Sequence, residues 1–75
     1  MTPKLPVVRG RDCVKALQRL GFRIRRQTGS HVILKRDAAP RWTVSVPLHD
    51  ELSPGTLRSI LEQGRVRLDD LLRQM

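Results

Sequence analysis

The chain has 75 residues and a net charge of +8, from 15 Lys and Arg against 7 Asp and Glu. A chain this small buries only roughly 60% of the surface its unfolded form exposes, so it makes one domain, residues 1–75, and excludes a separate cofactor-binding domain. The charge selects an anionic partner, a nucleic acid, an anionic membrane or an acidic protein; the membrane option is weak, because the longest aliphatic run is Val32-Ile33-Leu34 and a span needs ~20 apolar residues.

Residues 1–8 carry Pro3 and Pro6 and read as an extended leader. Together with Lys4 these prolines break any signal-peptide pattern, so the expected location is cytoplasmic. A helix begins at Gly10 or Arg11: Cys13, Ala16, Leu17 and Leu20 fall at i, i+3, i+4, i+7 with Val14 beside them. Gly21 is a natural stop. Cys13 is the single cysteine, which rules out an internal disulfide and fits a reducing compartment. Its place in the apolar stripe points to core packing rather than nucleophilic catalysis.

The period then changes to two. Phe22, Ile24 and Arg26 alternate with Arg23, Arg25 and Gln27, a strand with a basic open face. Thr28-Gly29 marks a tight turn, and Val32-Ile33-Leu34 forms the second strand. Residues 37–40 make a loop. Trp42, Val44 and Val46 alternate with Thr43 and Ser45 in a third strand that Pro47 ends. Short connections favour an antiparallel meander. Ser53 caps a second helix with Pro54 at its first position; Leu57, Ile60 and Leu61 form its inward stripe, and Gly64 ends it. Residues 65–75 read as a tail with a short helix around Leu68–Leu72. The fold class is therefore α+β, in the order α-β-β-β-α plus a short C-terminal helix, with a three-stranded antiparallel sheet. The helices cover one sheet face and leave the other as the candidate working face.

The candidate for chemistry is His31, in Gly29-Ser30-His31 at the head of the second strand. Histidine is the side chain that exchanges protons most readily near neutral pH. If Val32 and Leu34 face the core, alternation puts His31, Ile33 and Lys35 together on the open side. RNA carries its own nucleophile, the 2′-hydroxyl. Cutting it requires a base for that proton, an acid for the leaving 5′-oxygen and positive charge at the phosphorus. His31 offers the proton transfer. Arg23, Arg25 and Lys35 offer phosphate neutralisation. Gly29 lets the backbone turn beside the phosphodiester, Ser30 offers a donor to a phosphate oxygen, and Arg58 with the second helix's N-terminus offers another phosphate contact. The duller alternatives are a strand-edge histidine and a merely solvated basic face.

His49, in His49-Asp50-Glu51, has three readings: a second proton-transfer group, a metal ligand or a loop histidine capping backbone. Catalytic metal sites usually carry about three protein ligands, and no HExxH-like spacing occurs, so the reading is no metal and no cofactor. Phe22 and Trp42 are the only aromatic residues, too few for a sheet that stacks single-stranded bases.

Longer stretches are informative together. Leu5-Pro6-Val7-Val8, Gly10-Arg11, Leu17, Leu20-Gly21-Phe22 and Gln27-Thr28-Gly29-Ser30-His31-Val32-Ile33-Leu34 resemble the HicA family of toxins. So do Val44-Ser45-Val46-Pro47-Leu48-His49 and Leu52-Ser53-Pro54-Gly55-Thr56-Leu57-Arg58-Ser59-Ile60-Leu61. The resemblance implies a double-stranded-RNA-binding-domain-like fold and an endoribonuclease that cuts messenger RNA. It also implies a HicB-like antitoxin as partner, and it places the family's catalytic histidine at His31. Arg9 departs from the small capping residue often found before Gly10, and the tail after Gly64 carries no family role. A free monomer is the expected state, though nothing in the sequence fixes it. The rival functions are a non-catalytic RNA-binding module and a domain whose basic face meets an acidic protein.

Overall fold

A computed structural model describes residues 6–75. Most of the expected leader, residues 1–5, lies outside the described residues, as does Leu5 of the family-like stretch. The element order is α1 (Gly10–Arg19), β1 (Phe22–Thr28), β2 (His31–Arg36), β3 (Thr43–Pro47), α2 (Pro54–Gly64) and α3 (Leu68–Arg73). The sheet is antiparallel in the order β1-β2-β3. This is the expected α+β arrangement.

In α1, Cys13, Val14, Ala16 and Leu17 turn inward. Arg9 makes no side-chain cap, matching the departure noted in the sequence. The helix start is fixed from outside instead: the Gly10 N–H donates to the His49 carbonyl at 2.9 Å. The Leu52 N–H likewise donates to the Val8 carbonyl at 2.8 Å. Residues 8–10 therefore run beside the β3–α2 loop and tie it down. Gly21, at φ +96°, turns the chain out of α1.

Gly29 has φ +44° and Ser30 is not left-handed, so the two-residue hairpin loop has its positive φ at the first central position, the pattern of a type II′ turn. Val32 and Leu34 are buried while His31 is exposed, as alternation requires. β1 departs from the simple alternation. Its register with β2 shifts between Ile24 and Arg26, leaving Arg25 as an extra residue. A bulge of this kind sets two residues against one. Beyond it, Arg26 pairs with Ile33 and Thr28 with His31. Arg26 thus joins the open face, where strict alternation had placed it inward.

α2 begins as expected: the Thr56 N–H donates to Ser53 Oγ at 3.2 Å, and Pro54 occupies the first position. It ends at Gly64, but the turn that ends it is made by the next residue. The left-handed residue is Arg65, at φ 54°. Gly64 is needed for contact, since a Cβ there would stand 2.9 Å from Val44 Cγ2 and 3.1 Å from the Phe22 ring. Trp42 lies just before β3 rather than in it, half-buried against the core.

The core gathers Leu17 of α1, Leu34 and Val44 of the sheet, Leu57 and Ile60 of α2 and Leu71 of α3. Cys13 belongs to it as well, and burial pushes its thiol from 9.0 up to about 11. The folded state therefore holds the thiol proton more tightly than the unfolded chain. The corresponding stability is complete below about pH 9 and is lost as pH rises through about 11. Urea unfolding at pH 8.5 and pH 10.5 checks this. Wild type should lose about 1–2 kcal/mol more than Cys13→Ala over that interval.

Candidate functional site

A groove of about 450 Å³ runs along the free edge of β3. One wall is sheet: His31 at the head of β2, with Ser45 and Pro47 of β3. The other wall is α2, which presents Gly55, Thr56, Ser59 and Gln63. Thr56, Ser59 and Gln63 are spaced three and four apart, so they form one polar stripe beside the buried stripe of Leu57, Ile60 and Gly64. His49 lines the groove from the β3–α2 loop.

The walls are held by specific bonds. An edge strand presents unpaired backbone groups. Here the Ser45 N–H donates to Gln63 Oε1 at 3.0 Å, and Gln63 Nε2 donates to Ser59 Oγ at 3.1 Å. Gln63 thereby docks α2 on the β3 edge. At the groove's end, the Leu48 N–H donates to the Ser30 carbonyl at 2.6 Å, continuing the β2–β3 ladder past the His31–Pro47 pair.

His31 is exposed, and its Nδ1 lies 3.2 Å from Ser30 Oγ. With Nδ1 engaged by the turn serine, the remaining ring nitrogen, Nε2, is left for a bound molecule. Gly29 supplies the turn that puts Ser30 and His31 in this relation.

The other candidate residues are dispersed. Arg23 and Lys35 form a cross-strand pair at the far end of the sheet. Lys35 is four residues beyond His31 on β2, roughly 13 Å along the strand. Arg23 is drawn to Asp37, its Nε 3.3 Å from the carboxylate, with both side chains largely exposed. Arg25 sits at the bulge, and Arg58 is exposed on α2 outside the groove lining. The basic residue the bulge brings nearest His31 across the strands is Arg26, opposite Ile33. The sequence also left the α2 stripe unassigned. Its signal was present in the i, i+3, i+7 spacing of Thr56, Ser59 and Gln63.

Asp50 and Glu51 do not line the groove beside His49. Among the described residues, no three His, Cys, Asp or Glu gather as a set of metal ligands, and no helix is long and apolar enough to cross a membrane. Another hollow lies at the opposite end of the molecule, beside Phe22, Trp42 and Asp70. There the Arg65 guanidinium stands over the Trp42 ring, 5.1 Å from its centroid. That hollow carries no imidazole, whereas the β3 groove carries both histidines of the chain.

No curated protein matches the chain. A family model described as the HicA toxin of bacterial toxin–antitoxin systems matches residues 10–66, from the first residue of α1 to just past α2. That span contains the hairpin, both histidines and both walls of the groove, and the α-β-β-β-α order is the double-stranded-RNA-binding-domain-like fold of that family. The chain belongs to the HicA toxin family of toxin–antitoxin systems.

Proposed function

We propose that this toxin is an endoribonuclease that cuts messenger RNA without metal, with His31 as a proton-transfer residue, and that a HicB-like antitoxin restrains it. The observation that carries the reading is an exposed imidazole on the wall of an open groove, in a toxin-family chain of net charge +8. The 2′-hydroxyl of RNA attacks the adjacent phosphorus and loses its proton to a base. The P–O5′ bond breaks, and the 5′-oxygen takes a proton from an acid. The products are a 2′,3′-cyclic phosphate and a 5′-hydroxyl.

The flanking cations serve the backbone rather than the reacting atoms. Arg23, Arg25 and Lys35 line the sheet away from the groove, and Arg58 marks the exposed side of α2; on this reading each holds a phosphate of an extended strand. Gly29 and Ser30 shape the turn under the scissile group. Gly55, at the first turn of α2, offers its backbone N–H to a phosphate. An antitoxin with an acidic surface fits the same region, and charge attraction would speed the encounter. The domain acts as a single unit in the cytoplasm, where messenger is found, and is monomeric when free of its antitoxin.

The test is direct. The purified chain is incubated with a long RNA in excess chelator. Cleavage is expected, with cyclic-phosphate ends, and it should stop when the antitoxin is added. Binding without cleavage products would instead establish a non-catalytic RNA-binding module.

A further inference from the structure

We propose that His49 is the second proton-transfer residue, working with His31 on one phosphodiester; this rests on the ribonuclease reading above and completes it. Cleavage needs two proton movements, one at the 2′-oxygen and one at the 5′-oxygen. His31 supplies a single imidazole. The groove's other imidazole is His49, and the remaining lining is Ser, Thr, Gln, Pro, Gly and Ile.

The backbone holds the two residues in fixed relation. His31 pairs with Pro47 across the β2–β3 ladder, and His49 lies two residues beyond Pro47. The Leu48 N–H to Ser30 carbonyl bond, 2.6 Å, joins the residues next to both histidines. That bond carries the register one residue past the His31–Pro47 pair, so His49 follows directly on the end of the ladder, and both histidines line the same groove.

A second tie fixes the loop from behind. The Gly10 N–H donates to the His49 carbonyl at 2.9 Å. Gly10 is packed so closely that a Cβ there would lie 2.2 Å from the Pro47 carbonyl oxygen and 3.1 Å from the His49 nitrogen. The His49 backbone is thus clamped between α1 and the hairpin, while its side chain is exposed and faces the groove. That arrangement suits a functional side chain on a rigid support.

The reaction balances with these two groups alone. One neutral imidazole accepts the 2′-hydroxyl proton as the O2′–P bond forms. The other, protonated, donates to O5′ as the P–O5′ bond breaks. The pair ends with its protonation exchanged and resets through water.

The test uses two RNA substrates in the full chain: a normal one, and one whose leaving 5′-oxygen is replaced by sulfur. A thiolate leaves without a proton, so the sulfur substrate needs no acid. His49→Gln is expected to slow the normal substrate about 100-fold or more, with thermal unfolding and RNA binding close to wild type. Of His31→Ala and His49→Gln, one should recover near-wild-type rate on the sulfur substrate and the other should not. The recovered variant identifies the acid. Cleavage of the normal substrate by His49→Gln at the wild-type rate would overturn the proposal and leave the ribonuclease reading standing. So would a slow His49→Gln accompanied by no rescue of either variant, which is the signature of a structural or positioning role. If wild type cuts neither substrate, the ribonuclease reading falls and takes this proposal with it.

Discussion

His31→Ala should lower RNA cleavage at least about 100-fold, the scale typical of losing a positioned acid or base, while leaving the fold intact. The side chain is exposed and its one side-chain hydrogen-bond partner among the described residues is Ser30 Oγ at 3.2 Å, so its removal opens no cavity. Surface changes of this kind usually stay within about 0.5 kcal/mol. RNA affinity should change little, because the cations proposed to hold phosphates, Arg23, Arg25, Lys35 and Arg58, lie elsewhere on the sheet and on α2. Three measurements separate the possibilities: initial cleavage rate, RNA binding and thermal unfolding of the same preparation. In cells, expression of wild type should arrest growth and expression of His31→Ala should not. Equal cleavage by the two proteins would remove His31 from the mechanism.

Gly10→Ala should be the most damaging small substitution in the chain. The added Cβ meets the Pro47 carbonyl oxygen at 2.2 Å and Leu48 Cα at 2.9 Å. Both are backbone atoms, so no flexible side chain can swing away. Ala is favoured over Gly in helices by roughly 1 kcal/mol, but overpacking costs typically 1–3 kcal/mol, and separation of the segments also breaks the bond from the Gly10 N–H to the His49 carbonyl, worth about 1 kcal/mol. The expected net loss is about 2 kcal/mol, which for a domain this small lowers Tm by roughly 8–16 °C. Cleavage should fall at temperatures where the variant is still folded, because the loop bearing His49 has been pushed aside. Gly55→Ala is the control. Nothing lies within 4 Å of its Cβ, so its stability should be unchanged or slightly higher. Thermal unfolding of the two variants side by side checks the contrast; a Gly10→Ala protein as stable as Gly55→Ala would show that the β3–α2 loop is not clamped.

The order of elements was legible because each boundary has a local cause. The shift from a period near 3.6 to a period of two falls at Gly21-Phe22, and Ser53-Pro54 is a helix start that needs no tertiary help. The bulge at Arg25 was not legible. It lies in a run of arginines without a glycine to mark it, and it follows from fitting β1 to β2 and to the core at once. Its effect was to move Arg26 to the open face. Gly64 was rightly read as the end of α2, but the left-handed turn falls on Arg65, and the glycine itself answers to Phe22 and Val44, far away in sequence. For the site, alternation around Val32 and Leu34 sufficed to expose His31. It gave no hint that α2 would close a groove over the β3 edge, because the Gln63–Ser45 bond joins elements whose spacing carries no mutual signal. His49 was left with three readings for the same reason: its direction depends on Gly10 and Ser30, each contributed by a different part of the fold.

The bulged strand also bears on how copies of this protein meet. β3's edge is covered through Gln63, which leaves β1 as the sheet's other edge, exposed from Arg23 to Thr28. A bare edge invites a second molecule to add its own strand, and natural edges resist this with charge and bulges. Here both devices fall on the same few residues. Two copies brought together along β1 would set Arg23, Arg25 and Arg26 of one against those of the other, across an edge already bent at Arg25. Self-pairing is repelled there, while a strand rich in Asp and Glu would meet no such penalty.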